Sequence, residues 1–361
     1  MKKVMVGMSG GVDSSAAAML LKEQGYEVTG VTLKLFSDDD IVQAEKDGKT
    51  CCALSDVLDA RSVAYRLGFE HLVFNFKDNF REHVMKQFAE CYLCGRTPNP
   101  CIECNRYVKF DKMLKRAVEL NYDYIATGHY ARIKDGKLLR AIDDNKDQSY
   151  FLSQVSKEQL KNVLFPIGDM VKPDVRKIAR EYDLITKDKK DSTGICFIGE
   201  RNFSNFLRNY LPNQPGDIVD IVTGKKIGEH IGLMHYTIGQ RRGLDIGGTK
   251  DRMFVVGKDL NKNILYVESG NDDYLISTSC IVDTLNFVAD ERPTKCTAKF
   301  RYRQKDIEVE VEYKEDEILV KYDGVKSVTP GQACVLYDKE VCLGGGIIKE
   351  VQKNGKKLWY L

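Results

Sequence analysis

Short apolar runs alternate with amphipathic stretches over the first 200 residues, and the pattern changes twice after that. Residues 4–8 and 28–35 read as buried strands, with an amphipathic helix over 14–24 between them. Residues 60–67 read as helix, 71–76 as strand, 110–120 as helix and 122–127 as strand. This βαβ alternation predicts a doubly wound parallel sheet with its ligand at the C-terminal strand ends. Residues 130–133 and 138–142, joined by Asp135-Gly136, read as a hairpin beside that sheet. Leu211-Pro212-Asn213-Gln214-Pro215-Gly216 breaks the pattern. A Gly-rich, strand-like stretch follows to about residue 275. Short alternating strands over 297–303, 307–313 and 318–322, closed by Gly344-Gly345-Gly346, then predict a small β-barrel. The expected domains are 1–205, 206–275 and 276–361, an α/β domain followed by a small central domain and the barrel.

Composition narrows the function classes. The 361 residues are 43% hydrophobic with 8 prolines, which suits two or three cores and excludes collagen-like and disordered chains. No apolar run approaches the ~20 residues of a membrane-spanning helix. Lys2-Lys3 precede Val4-Met5-Val6, but Ser9-Gly10-Gly11 and Asp13 end that run, so no leader is expected. A cytoplasmic monomer is expected, since no surplus apolar surface is legible. The 55 basic and 53 acidic residues give a net charge of +2, so any RNA contact must come from local patches. The 11 cysteines include C-x-x-C pairs, which favours reduced thiols over a disulfide framework.

The sharpest motif is Gly7-Met8-Ser9-Gly10-Gly11-Val12-Asp13-Ser14-Ser15, a strand end running straight into an Ala-rich helix. Glycines bring backbone N–H groups against phosphate oxygens, and the helix N-terminus adds positive potential there. Ser14 and Ser15 supply hydroxyls, and Asp13 is placed to help hold Mg²⁺. No lysine follows the glycines, so this is not the Walker loop that cradles a γ-phosphate. It resembles the loop of the ATP pyrophosphatases, which split ATP between the α- and β-phosphates.

Two thiols sit in loop motifs rather than on apolar faces. Cys104 lies in Gly95-Arg96-Thr97-Pro98-Asn99-Pro100-Cys101-Ile102-Glu103-Cys104-Asn105-Arg106, just ahead of the helix expected at 110. There the helix dipole, Arg106 and Lys109 would favour a thiolate. Cys196 lies in Asp191-Ser192-Thr193-Gly194-Ile195-Cys196, with Arg201 close by. Cys280, Cys296, Cys334 and Cys342 fall on or beside barrel strands and read as small core residues.

These segments, with Ala126-Thr127-Gly128-His129-Tyr130, Asp147-Gln148-Ser149-Tyr150-Phe151-Leu152, Tyr236-Thr237-Ile238-Gly239-Gln240-Arg241-Arg242-Gly243-Leu244 and Thr329-Pro330-Gly331-Gln332-Ala333, resemble the bacterial tRNA-specific 2-thiouridylases in family order. The resemblance covers essentially the whole chain. It implies an ATP pyrophosphatase domain, a small central domain and a C-terminal β-barrel. It further implies replacement of O2 of the wobble uridine, position 34 of glutamate, glutamine and lysine tRNAs, by sulfur.

By the same resemblance, Gly7, Met8, Ser9, Gly10, Gly11, Val12, Asp13 and Ser14 bind ATP with Mg²⁺, and Leu33 and Gly128 line the adenosine pocket. Cys196 takes a persulfide sulfur from a cysteine desulfurase or a relay protein. Cys104 is the nucleophile that completes transfer, freeing sulfide or closing a disulfide with Cys196. Asn99, Pro100, Cys101, His129, Asp147, Gln148, Ser149, Arg303 and Gln332 lie near the tRNA. An anticodon-loop uridine is single-stranded and costs little to flip out. Alternation along 297–303 would also put Lys299, Arg301 and Arg303 on one face as a phosphate-binding stripe.

Cys101 departs from the family, many members of which carry Asp there. With Cys91, Cys94 and Cys104 it makes C-x₂-C-x₆-C-x₂-C, a spacing that permits zinc or an iron–sulfur site. A [4Fe–4S] cluster on Cys101, Cys104 and Cys196, delivering sulfide, is the alternative thiolation route. A ligase of the GMP- or argininosuccinate-synthetase type would share the first motif without using the two thiols. An RNA-binding relic would tolerate loss of Ser9, Asp13 and both cysteines, yet all are present.

Overall fold

The computed structural model describes residues 1–36, 54–191, 194–195, 211, 213–247, 252–270 and 272–361. Five strands, β1 (Lys3–Gly7), β2 (Glu27–Lys34), β3 (Glu70–Asn75), β4 (Tyr124–Thr127) and, after an intervening hairpin, β7 (Val163–Leu164), form a sheet in the order β3-β2-β1-β4-β7. Every pairing in it is parallel. Val4, Met5 and Val6 of β1 are fully buried, as a strand covered on both faces requires. The first helix, Val12–Glu23, packs on the sheet through Ala18, which shares a cluster with Val4, Val6 and Val28, while Ala16 and Ala17 pack against Tyr130, Ile167 and Val175. The strand order reverses direction between β1 and β4. That switch point opens a crevice at the C-terminal ends, where the glycine motif sits.

The hairpin, β5 (Arg132–Lys134) and β6 (Lys137–Leu139), forms where expected but joins a different sheet. Leu139 pairs with Val341 of the barrel, so the hairpin extends the barrel wall rather than flanking the parallel sheet. Burial explains the choice: Leu138 is fully buried in a cluster with Val335 and Tyr337.

The central segment carries β8 (Gly216–Asp220), β9 (Lys226–His230), β10 (Met253–Asp259) and β11 (Ile264–Ser269) in the order β10-β11-β8-β9, around Ile218, Val255, Leu265 and Val267. β12 (Ile276–Phe287), β13 (Lys295–Lys299), β14 (Ile307–Tyr313), β15 (Ile318–Lys326), β16 (Ala333–Asp338) and β17 (Val341–Lys353) follow. They pair as β12-β15-β14-β13-β16-β17, and the β12–β17 pairing closes them into a barrel. A two-residue strand, β18 (Lys356–Lys357), folds back on β17.

β13 ends at Lys299, so the expected stripe of three basic residues does not form. The chain turns instead: the Phe300 N–H donates to Gln304 Oε1, and Arg303 adopts a φ of 65°. Ala298 and Phe300 still face the core. Arg301 and Arg303 are exposed on the turn.

The Gly344-Gly345-Gly346 run lets β17 pass closely between β12 and β16. A Cβ on Gly345 would lie 1.9 Å from the Cys334 carbonyl oxygen, at a φ of +154°. Gly345→Ala is therefore expected to destabilise the barrel by about 1–3 kcal/mol or more, lowering the melting temperature by about 2–4 °C per kcal/mol. Gly247→Ala, where a Cβ meets nothing within 4 Å, is the control and should melt as the parent. Equal melting of the two variants would overturn this account.

Candidate active site

The glycine loop is built by close backbone approach. Gly7 ends β1, Met8 is buried beneath the loop, and Gly10 turns at a φ of +69° against the backbone of Asp56. A Cβ on Gly128, just past β4, would sit 2.6 Å from the Ser14 backbone nitrogen, so only glycine fits there. Gly11 caps the Val12–Glu23 helix with no side-chain hydrogen bond, and its first-turn N–H groups remain available for anionic oxygens. Ser14 Oγ and Ser15 Oγ both donate to the Gly11 carbonyl, at 3.2 and 2.8 Å, which fixes the turn. The Ser9 N–H donates to Ser14 Oγ, and the Ser9 side chain is exposed above the loop. Val12 is buried at the start of the helix. Leu33, near the end of β2, is half-buried at the same edge.

Asp13 is held from two directions. The Tyr130 hydroxyl donates to its Oδ1 at 2.9 Å, and Lys172 Nζ reaches both its oxygens at 2.6 and 2.8 Å. Lys172 also pairs with Asp191 at 2.8 Å, which Lys146 and Arg176 join at 2.6 and 2.8 Å. Burial opposes ionisation of Asp191, but Lys146 and Lys172 outweigh it and hold its carboxyl at about 2. Lys189 donates to the Gly10 carbonyl and to Asp56 and Asp59. A charged seam thus binds the segment ahead of Cys196 to the loop. The sequence reading named Asp13 and Tyr130 but missed Lys172 and Lys189. One signal was legible: Val171-Lys172-Pro173-Asp174 starts a helix with a cation where the dipole disfavours one.

Cys104 lies elsewhere than expected. Pro100 at the first helical position starts the helix ten residues early, and Pro100–Glu103, Cys104–Lys112 and Met113–Glu119 run on as one, wound as π-helix through the middle. Cys104 is therefore inside the helix rather than ahead of it, 3% exposed, in a cluster with Phe36, Phe80, Val84 and Val108. Burial pushes its thiol up to about 11, and nearby Lys109 offsets this only in part. The dipole-stabilised thiolate is not what this conformation holds. Cys196 lies outside the described residues. Its neighbour Ile195 packs on the Cys104 cluster, as does Leu33.

The residues assigned to tRNA divide into two groups. Asp147 and Ser149 are buried and bonded to one another: Ser149 Oγ donates to Asp147 Oδ2 at 3.0 Å and meets the Tyr337 hydroxyl at 3.2 Å. Gln148 Oε1 accepts the Tyr130 N–H, and Gln332 Nε2 donates to the Thr97 carbonyl at 2.8 Å. Asn99 bonds the Tyr150 hydroxyl, and Pro100 is buried below it. Ser149 and Gln332 thereby tie the α/β domain to the barrel. His129 and Cys101 are half-buried, as are Asn99, Gln148 and Gln332, and Arg303 is exposed. Burial and then Lys109 hold His129 well below its usual range, so its ring is neutral, with Nδ1 2.6 Å from Thr127 Oγ1. Arg303 bonds the Tyr302 hydroxyl, and the Tyr302 ring lies 4.3 Å from that of Phe151.

Among the described residues no three histidine, cysteine or acidic side chains converge as metal ligands. The C-x₂-C-x₆-C-x₂-C spacing therefore does not assemble a four-thiolate site. Cys94 is exposed at the end of the Lys86–Leu93 helix, whereas Cys104 is buried in its aromatic cluster. The cluster reading on Cys101, Cys104 and Cys196 extends to Cys196, outside the described residues.

With a thiol near 11, only about one Cys104 in a thousand is thiolate at pH 8. Peptide-mapped alkylation by iodoacetamide at pH 8 should modify exposed Cys94 at least ~100-fold faster than Cys104. Raising the pH towards 11 should narrow that gap, because deprotonation rather than reagent supply limits Cys104. Equal rates at pH 8 would show the thiol open and ionised.

Three family models match in series. One described as the tRNA methyl transferase HUP domain covers residues 2–200, a tRNA methyl transferase PRC-barrel domain covers 204–269, and an aminomethyltransferase beta-barrel domain covers 277–348. The tRNA-specific 2-thiouridylase MnmA of Staphylococcus epidermidis is 50% identical over 372 residues, a match covering 99% of this chain and 98% of that protein. The proteins of the same name from Bacillus velezensis and Mesoplasma florum are also 50% identical, covering 99% and 97% of this chain and 98% and 100% of theirs. Among solved structures, a 4-thiouridine synthetase–RNA complex with bound ATP matches 56% of this chain and 46% of its own at 16% identity and a TM-score of 0.37. With half its residues shared along nearly its whole length, the chain belongs to the family of tRNA-specific 2-thiouridylases.

Proposed function

We propose that the chain is a tRNA-uridine 2-sulfurtransferase that activates the wobble uridine with ATP and exchanges its O2 for sulfur. The observation that carries the reading is the packing of Ile195 on the cluster that holds Cys104 and Leu33. It sets Ile195, which precedes Cys196 in the sequence, against the cluster of the buried thiol, beside Leu33 near the end of β2. Neither a ligase nor a relic nucleotide loop has use for the two thiols, Cys104 and Cys196, in these motifs. The methyl transferase wording of two family descriptions fits less well, since methyl transfer has no need of a loop built to split ATP.

The uridine O2 attacks the α-phosphorus of ATP, pyrophosphate leaves, and the poor leaving group becomes AMP. The uncapped N-terminus of Val12–Glu23 meets the phosphates. Mg²⁺ fits this site through one hard oxygen donor, the partly exposed Asp13 carboxylate, and supplies neutralisation of phosphate charge when bound. Leu33 and Gly128 flank the adenosine side. The terminal sulfur of a Cys196 persulfide then replaces AMP at C2. Cys104 attacks the inner sulfur of Cys196 and closes a disulfide, which releases the sulfur either as sulfide before attack or as the thiocarbonyl after it. An external thiol reductant reopens the disulfide. The persulfide comes from a cysteine desulfurase or a relay protein, and the exposed Arg301 and Arg303 beside Tyr302 contact the RNA backbone. No described helix is long and apolar enough to cross a membrane, and we place the reaction in the cytoplasm on a monomer.

Nucleoside mass spectrometry on unmodified glutamate or lysine tRNA tests the reading, with ATP, Mg²⁺, a desulfurase and cysteine supplied. The parent should form 2-thiouridine at position 34, with AMP and pyrophosphate dependent on tRNA. Cys196→Ser and Cys104→Ser should each lower product by about 10³-fold or more, as loss of a nucleophile does. Product persisting in Cys104→Ser would remove that residue from the reaction. ATP turnover with a small acceptor in place of tRNA would overturn thiolation itself.

A further inference from the structure

The phosphate loop has no lysine after its glycines, yet one reaches it from 159 residues further along the chain. Lys172 opens the helix Lys172–Glu181, which packs beside Val12–Glu23 and shares its end of the molecule with the loop. Its side chain is 10% exposed, and its Nζ is bonded to Asp13 and Asp191. We propose that Lys172 is the phosphate-binding cation of this loop. Its ammonium rests between two carboxylates and passes from them to the phosphate oxygens of ATP. The inference rests on the nucleotide-binding part of the proposed function.

Two features separate this from an ordinary structural ion pair. The first is position. A cation at the first turn of one helix and beside the first turn of another opposes both dipoles, and burying it adds a desolvation cost. Its ammonium has no acceptor with which to cap the first-turn N–H groups, and its own backbone N–H donates to Asp143 Oδ2 at 2.9 Å. A phosphate at the same place would reverse the balance, because anion, helix ends and ammonium then agree in sign.

The second is that both carboxylates have other partners. With Lys172 gone, Asp13 keeps the Tyr130 hydroxyl at 2.9 Å, and Asp191 keeps Lys146 and Arg176. The ammonium can therefore leave Asp191 still paired with two cations, and Asp13 hydrogen-bonded and one-third exposed to solvent. Its departure unlinks Asp191 from Asp13, so nucleotide in the loop alters the anchoring of the segment that leads to Cys196. A lysine that only held the two segments together would have no such spare partners around it.

Equilibrium binding of α,β-methylene-ATP and of adenosine to the full-length parent, Lys172→Met and Lys172→Arg tests this. Lys172→Met should bind the triphosphate analogue at least about tenfold more weakly, the effect of losing one charge-assisted contact. Adenosine, which carries no phosphate, should bind it within about twofold of the parent. Lys172→Arg should recover most of the lost affinity. Lys172→Gln, whose amide still donates to Asp13 and Asp191, carries the same comparison where Lys172→Met does not fold. Analogue binding within twofold of the parent, or equal loss for analogue and adenosine, overturns the role of Lys172. A parent that does not bind the analogue overturns the nucleotide reading and this inference with it.

Discussion

At the C-terminal edge of the parallel sheet, backbones meet with almost no side chain between them. Gly128 lies on Ser14 and Gly10 lies on Asp56, each closer than any Cβ allows. This contact fixes the height at which Val12–Glu23 begins, and with it the direction of the first-turn N–H groups. It also brings Tyr130, two residues past Gly128, to Asp13. The electrostatics follow from the same approach, because Asp13, Lys172 and Asp191 meet above it. A wider gap would admit water and weaken every charge interaction across it.

The barrel is a clamp as well as a domain. The Thr97 N–H donates to the Pro330 carbonyl, Gln332 to Thr97, the Tyr150 hydroxyl to Ala333 and Gln154 to Gly345. The helix bearing Cys104 is tied into this set, since Asn105 donates to the Phe151 carbonyl and Arg106 to Gln154. The buried thiol is thus positioned by contacts some 230 residues away in sequence as much as by its own helix. Two of the residues that the family resemblance groups near the RNA, Ser149 and Gln332, also belong to this set of contacts across the domains.

The parallel sheet, the glycine loop and the barrel were legible because each follows from local rules: apolar runs, a strand end turning into a helix, and short alternating strands. The early start of the Cys104 helix was legible too, since Pro100 suits a first turn, but the Pro98-Asn99-Pro100 string read as loop. The raised thiol was not legible, because burial of Cys104 depends on Phe36, Phe80 and Val84 arriving from other elements. Lys172 and Lys189 escaped for a similar reason. A lysine in a helical pattern reads as solvated surface until its carboxylate partners are known. The expected strand to Arg303 stops at Lys299 because the Phe300 N–H is taken by Gln304 Oε1 in a turn, a partner that alternation does not reveal.

The shared cluster of Tyr150, Leu152 and Val155 with Ala333, Val335, Tyr337 and Cys342 has a consequence for biosynthesis. The first three side chains emerge from the ribosome long before the last four exist. At ordinary elongation rates that interval is on the order of ten seconds. Through it, the nascent α/β domain carries an uncovered apolar face and the unpaired edge of β6. Its final strand partner, Val341, is made about 200 residues after it. The chain completes its first domain only by finishing its last, so shortened chains lacking the barrel expose the same face permanently and are natural targets for chaperones and proteases.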